Sequence, residues 1–538
     1  MDFLKKQALN LGLLLVLLAA VFLCLYAMGN YSGDNVASQR GMGLHNGLSG
    51  AEKQSPGTGG QLSPEQFQAP GDSGPRAPFN GGPGAGSAGG GREYAPGLII
   101  YAVIFLFLFM AAYYLFIYKK VTIRPENATN IVLALLCAGF LLRLSAATLM
   151  EGHPFDINIF KSWATAAARN FTGFYAGPGS SDYPPLYIYV LFLVGKAAGL
   201  PAISPYFTLL LKLPSIAADM VTAMLIYRLA RKYLSPEMGV LTPALYIFNP
   251  AVVINSTFWG QVDSFFTLLV FGAVYMLAEK KMGCSAVLFT AAVLMKPQGI
   301  IFLPVLFFGL VKQRNWAVVL KSGALAMLTA LVIILPFSPP GDVLWIFRLY
   351  AGTVGEYPYA SVNAFNFFSL LGQNYAPDAA TLAVFSYHAW GILFIAVVTA
   401  GAGFIYHKGN GSLYSSAAAL LLIAGVFTFS TRMHERYLFP AVALSILAFI
   451  YLKDKRLLWL WAGFSATSYS NTHYVLFQAG SGINSAAFSP VPVITALLNV
   501  LLFVYLAKVL YDIAVRKRIE PVSRLAQEPA QPGIARFK

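Results

Sequence analysis

Apolar runs of about 17–25 residues recur along most of the chain, separated by short polar or charged breaks. A run of that length crosses the hydrocarbon of a bilayer as one helix. The pattern predicts helices over residues 9–28, 97–118, 131–150, 206–229, 239–258, 263–278, 316–337, 384–406, 413–430, 437–452, 456–470 and 490–512. Two stretches depart from it. Residues 187–200 are apolar except for Lys196 and reach only about 21 Å at the helical rise, short for a crossing. Residues 283–311 carry Lys296-Pro297-Gln298 in their middle, which predicts two short helices meeting at Pro297, because proline interrupts the hydrogen-bond ladder. Short or broken segments at membrane depth are tolerated where they are buried in protein or line a cavity. The expected fold is all-α: a polytopic integral membrane protein with about 13–14 transmembrane helices.

Composition removes the alternatives to a membrane fold. Of 538 residues, 57% are hydrophobic and only 11% charged, against about a quarter charged in a soluble domain. A soluble enzyme and a secreted disulfide scaffold are both excluded. The net charge of +15 implies no nucleic-acid partner, because Lys and Arg cluster at the ends of apolar runs, where they fix orientation. With the N-terminus inside, and 187–200 not spanning, 22 of the 37 Lys and Arg fall on inside segments. That predicts a multi-pass protein of the cytoplasmic membrane with a cytoplasmic N-terminus.

Lys5 and Lys6 precede the first apolar run, residues 9–28; residues 1–28 read as an uncleaved N-terminal anchor helix rather than a signal peptide, because no clear small-residue cleavage site follows. Residues 29–96 hold 18 of the 48 glycines, with many Pro, Ser and Gln, and are expected to form a disordered extracytoplasmic loop. Residues 97–130 read as a second helix and cytoplasmic turn, and 513–538 as a basic cytoplasmic tail. Cys24, Cys137 and Cys284 all lie in apolar segments and show no metal-ligand spacing.

In this topology the unusual polar motifs share the outer side. The loop after 131–150 runs from Glu151 through His153, Asp156, Asn158 and Lys161 to Trp163. Asp182-Tyr183-Pro184-Pro185 follows, then Trp259-Gly260-Gln261-Val262-Asp263, Lys296-Pro297-Gln298, a loop from Glu356-Tyr357 to Asn366, and Arg432-Met433-His434-Glu435-Arg436-Tyr437. Charged groups near membrane level mark a functional site by default. Each also has a structural reading. Asp156 suits a solvated loop, Asp182 a helix start, Asp263 an N-cap, and Lys296 a snorkelling side chain. Lys212 and Asp219, seven apart, share one helical face and suit a structural pair.

Taken in order, these motifs resemble the GT-C class of membrane glycosyltransferases, most closely the bacterial relatives of GPI mannosyltransferase 2, the PIG-V-like group. Lys212-Leu-Pro-Ser-Ile-Ala-Ala-Asp219 and Asn249-Pro250 belong to the same series. A looser likeness is to dolichyl-phosphate-glucose glucosyltransferases. The resemblance covers 131–512 and leaves out the N-terminal hairpin. It implies a GT-C-like bundle with large extracytoplasmic loops, a polyprenyl-phosphate sugar donor and an outward-facing site. The acceptor is a glycolipid, polysaccharide or protein, and the surroundings are membrane lipid. It implies Asp156 as catalytic base, with Glu151 the nearest competitor. No cofactor is required on this reading and a divalent metal is not indicated, although Asn158 stands where many of the class carry a second acid.

The chemistry leads the same way. A sugar leaving a lipid phosphate needs one base for the acceptor hydroxyl and cationic donors where phosphate charge grows. One carboxylate acting in a single displacement predicts inversion. Arg432, Arg436, His434 and Lys296 are the expected phosphate ligands. Glu151, Asp182, Tyr183, Trp259, Gln261, Asp263, Gln298, Glu435 and Tyr437 are the expected sugar or acceptor pocket. The alternative is a transporter or flippase of lipid-linked sugars, whose halves often repeat; no motif is repeated here.

Overall fold

The computed structural model describes residues 2–33, 91–177, 181–339, 341–342, 344–409, 411–478 and 488–522, with side chains from residue 11 onward. Most of the expected loop 29–96 and tail 513–538 lies outside the described residues. Among the described residues, nine helices are long and apolar enough to cross a membrane, and five shorter apolar helices of 10–17 residues pack with them. The fold is a nearly all-α bundle, with one two-stranded hairpin, Thr381–Leu382 with Phe385–Ser386.

The helices follow the apolar runs, extended at their ends by local chemistry. Pro125 opens Pro125–Ala147, and Pro490 opens Pro490–Ala514, each fitting a first turn whose N–H has no intrahelical partner. Asn315 caps Trp316–Ile334 through its side chain, accepting from the N–H groups of Ala317 and Val318. The predicted break at Pro297 is present: Met282–Val293 ends, Lys296 is extended, and a 3-10 turn, Pro297–Phe302, leads into Leu303–Gln313.

Three regions differ from the apolar pattern. The loop expected around residues 151–163 contains a 16-residue helix, Pro154–Arg169. Its Ile157, Phe160, Trp163, Ala164 and Ala167 are buried, a helical spacing on one face, while Asp156, Asn158 and Lys161 interrupt the run and shorten its apolar appearance. It pairs with Leu186–Ala198, the short run that includes Lys196. The run 456–470 continues to Gln478. Its polar residues point inward: Asn471 accepts from the Phe365 N–H (2.8 Å) and donates to the Asn363 carbonyl (2.8 Å), anchoring the loop that holds residues 356–366. The run 239–258 is broken by Pro250 into Pro236–Ile247, the single turn Pro250–Val253 and a π-helical turn, Ile254–Trp259. A π turn inserts an extra residue and recurs at functional sites.

Buried charges tie these pieces together. Lys212, fully buried, donates from Nζ to the carbonyls of Met150 (2.5 Å) and Ala147 (3.2 Å). It therefore holds the end of Pro125–Ala147 and the entry to Pro154–Arg169. Asp219 pairs with Arg143 (2.5 Å) and accepts from the Tyr246 hydroxyl (3.2 Å). Arg143 also donates to Ser256 (2.9 Å) in the π turn and to the Ile247 carbonyl.

Candidate active site

Two glycines let the site form. Gly152 sits at φ +121, where a Cβ would lie 2.6 Å from the Trp259 carbonyl oxygen. That close approach allows the His153 N–H to donate to the same carbonyl at 3.0 Å. Gly260 sits at φ +82 directly after the π turn, and a Cβ there would meet Ile157 at 2.7 Å. Both conformations strain any residue with a Cβ. Together they seat the first turn of Pro154–Arg169 against Trp259.

Asp156 lies in that first turn. Its Oδ2 accepts from Trp259 Nε1 at 2.6 Å and lies 3.1 Å from His153 Nδ1 and 3.5 Å from an Arg436 guanidinium nitrogen. His153 stacks on the Trp259 ring (4.7 Å, 13°), and the Arg436 guanidinium covers that ring at 4.6 Å, a cation–π arrangement. Burial acts to raise the Asp156 pKa, but Arg436, His153 and Trp259 together outweigh it and hold the carboxyl below its ordinary value. Asp156 is thus a carboxylate at neutral pH.

Arg436 is the hub. It also contacts Glu435 at 2.7 Å and Asp263 at 3.6 Å. Asp263 does not cap its helix; its Oδ1 binds Lys296 Nζ at 2.5 Å and its Oδ2 accepts from Asn255 at 3.0 Å. Lys296 does not snorkel. Only 2% of it is exposed, and its ammonium lies between the Tyr183 and Tyr437 rings at 5.4 and 5.9 Å. Gln298 and Tyr437 share the same cavity wall.

These groups stand on or behind the wall of a cavity of about 400 Å³. Of the expected residues, Asp156, Asp182, Tyr183, Lys296, Gln298, Arg432, His434, Arg436 and Tyr437 line it. Trp259, Asp263 and Glu435 do not line it; they sit behind it and hold the lining groups. The Gln261 side chain is fully buried, and its Oε1 accepts from the Val262 N–H at 3.3 Å. Glu151 is exposed and does not line the cavity, so Asp156 is the loop acid on the cavity wall. His434 packs edge-on to Tyr357 at 4.8 Å. Burial, with Arg436 and Lys296 nearby, pushes its pKa down to about 3. It is therefore neutral and can serve as a hydrogen-bond partner rather than a cation. Arg432 stands apart from Arg436: its Nε donates to Asp378 at 2.7 Å and its Nη1 to the Val354 carbonyl at 2.8 Å.

The cavity also contains residues outside the expected site. Glu356 hydrogen-bonds Asp182. Partial burial and that neighbour push Glu356 up to about 7, while burial also raises Asp182. His388 lines the wall beside Arg432. Ile300, Ile301, Ile392, Ile395 and Val426 form an apolar side. A lone histidine at a helix start and a carboxylate 54 residues from its arginine carry no local signal. Glu356, by contrast, opens the polar loop motif that runs to Asn366. Among the described residues, no three of His, Cys, Asp and Glu gather as a metal site would require.

Comparison with known proteins bears on the central part of the chain. Residues 184–341 match the family described as dolichyl-phosphate-mannose-protein mannosyltransferase. The match supports a glycosyltransferase of the GT-C class and does not single out the PIG-V-like group. It takes in Trp259, Asp263, Lys296 and Gln298, but not Asp156 or residues 432–437. No curated protein matches the chain.

Proposed function

We propose that this protein transfers a hexose, with mannose the first candidate, from a polyprenyl-phosphate carrier to a hydroxyl of a glycolipid, polysaccharide or protein acceptor. It does so on the outer side of the cytoplasmic membrane, with the N-terminus inside, and within the GT-C class its motif order is nearest the PIG-V-like group. The observation that carries this reading is an ionised carboxylate, Asp156, on the wall of a cavity that also presents Lys296, Arg432 and Arg436. In the reaction the acceptor oxygen attacks the anomeric carbon and its proton passes to Asp156. The bond between that carbon and the phosphate oxygen breaks on the opposite face. The lipid phosphate departs with the electron pair, and the configuration inverts. No acid is needed for a leaving group already anionic at neutral pH. Growing phosphate charge is met by the cations on the wall, and Tyr183, Tyr437 and Gln298 border the sugar.

The apolar side supports a lipid donor. Ile300, Ile392 and Ile395 are 47%, 54% and 37% exposed on helices read as lying at membrane depth, so that side of the cavity meets lipid. The family match to mannosyltransferases that use a dolichyl-phosphate sugar points to the same donor class.

The test is purified protein in detergent or liposomes with a panel of polyprenyl-phosphate sugars, scoring release of free lipid phosphate and the anomer formed. Turnover of one donor by the wild type and its loss in Asp156→Asn is the expected outcome. Undiminished turnover in Asp156→Asn removes the assigned base, and retention of configuration removes the single displacement.

A further inference from the structure

We propose that His388, oriented by Asp378 beside Arg432, is a ligand of the donor phosphate and sets where the lipid headgroup stops in the cavity. This rests on the reading of the protein as a polyprenyl-phosphate-sugar transferase.

Three observations carry it. The first is charge. Arg436 already faces three carboxylates, Glu435, Asp156 and Asp263, and Lys296 is bound to Asp263. The charge of those two cations is thus largely balanced by carboxylates. Arg432 and His388 converge instead on one buried carboxylate, Asp378, at 2.7 and 3.4 Å. Arg432 thus faces one carboxylate where Arg436 faces three, which leaves it better placed to meet an anion at the rim.

The second is direction. His388 is the second residue of the helix Tyr387–Gly409. Ile392 and Ile395, four and seven positions on, line the same cavity, so the imidazole stands at the head of an apolar stripe on one helix face. Val426 and Ile300 complete the apolar wall. An isoprenoid tail laid along that stripe carries its phosphate to the level of His388 and Arg432.

The third is rigidity. The His388 N–H donates to the Asp378 carbonyl at 2.9 Å, and the Asp378 N–H donates to the Pro358 carbonyl at 2.9 Å. The Arg432 N–H donates to the Tyr359 carbonyl at 3.0 Å. The outer loop thus clamps the helix start and the 432–437 turn together. The His388 side chain is 42% exposed, whereas that of Asp378 is only 7% exposed, so the imidazole can still meet a ligand. The Asp378 carboxylate lies 3.4 Å from His388 Nδ1 and 2.7 Å from Arg432 Nε, so an imidazole and a guanidinium stand side by side, which suits a phosphate monoanion.

The experiment measures KM for a long-chain polyprenyl-phosphate hexose, kcat, and KM for the acceptor, in wild type, His388→Gln and His388→Lys. At pH 6, His388→Gln should raise donor KM roughly tenfold, the loss of one charged contact, with a smaller change in kcat and none in acceptor KM. His388→Lys, which keeps a hydrogen-bond donor at that position, should restore donor KM. Unchanged donor KM in His388→Gln at pH 6, or a shift confined to acceptor KM, overturns the assignment; the latter places an acceptor anion at this site instead. Loss of kcat alone in both variants indicates a merely structural histidine and also overturns it. Wild-type protein that turns over no polyprenyl-phosphate sugar defeats the underlying transferase reading, an outcome distinct from failure of the histidine.

Discussion

Two of the buried charge networks in the bundle are built from the same kinds of residue. In one, Arg143 pairs with Asp219 and is tied to Ser256 and the Ile247 carbonyl. In the other, Arg436 and Lys296 bind Asp156, Asp263 and Glu435. The first is closed on every side, and neither Arg143 nor Asp219 borders the large cavity. The second opens onto it through Asp156, Lys296 and Arg436. Burial alone therefore does not distinguish chemistry from scaffolding; a wall shared with a ligand-sized space does.

The largest expected effect separates the two networks outright. Asp156→Asn should cut kcat by about 10²–10⁴-fold, the usual contribution of a positioned base. Thermal stability should change little, since Arg436 keeps two other carboxylates. A transporter would retain partial function in the same variant. In the closed network the pattern should reverse. Arg143→Met leaves Asp219 without its cation and should cost about 3–5 kcal/mol of stability, read by thermal unfolding in detergent. Adding Asp219→Leu should recover much of that loss, because an apolar pair of similar volume replaces a buried ion pair at little net cost.

A smaller effect tests how the two parts of the open network meet. Trp259→Phe removes the indole N–H from Asp156 but keeps a ring for His153 and Arg436. It should lower kcat about tenfold. It should also move the acid limb of the pH–rate profile to higher pH, because a hydrogen bond that lowers the Asp156 pKa is gone. The wild-type limb should lie below pH 4, as the folded pKa is below the ordinary value of about 3.9.

The smallest effect concerns Glu356. Its folded pKa, about 7, lies above the ordinary 4.5, so the folded state binds the proton more tightly than the unfolded state. Stability present below pH 4.5 should be lost as pH rises toward 7. Glu356→Gln should flatten that slope in a series of melting temperatures. An unchanged slope would assign the pH dependence elsewhere.

The helices were legible where membrane physics writes directly on sequence: a long apolar run has little choice but to span, and Lys296-Pro297 marked its own break. The helix Pro154–Arg169 was harder to see because it lies against protein on one face only. Its polar residues, which bring Asp156 to the cavity, are what disguised it as loop. The site motifs were legible as a set, but not the division of labour within them. Arg432 and Arg436 are four apart in sequence, yet one meets Asp378 and the other meets Asp156 and Asp263. An αL backbone at Arg432, φ +62, turns the chain between them. Such tertiary pairings, like that of Asp378 with His388, leave no periodic trace.

The π turn at Ile254–Trp259 has a consequence for how this chain can vary. Asn255 reaches Asp263 and Trp259 reaches Asp156, two different acids served from positions four apart. Removing one residue there would restore ordinary winding but swing the indole by about 100°, away from its acid. Homologues that shorten this turn should therefore either carry another donor for the acid at 156 or lack the activity proposed for this chain.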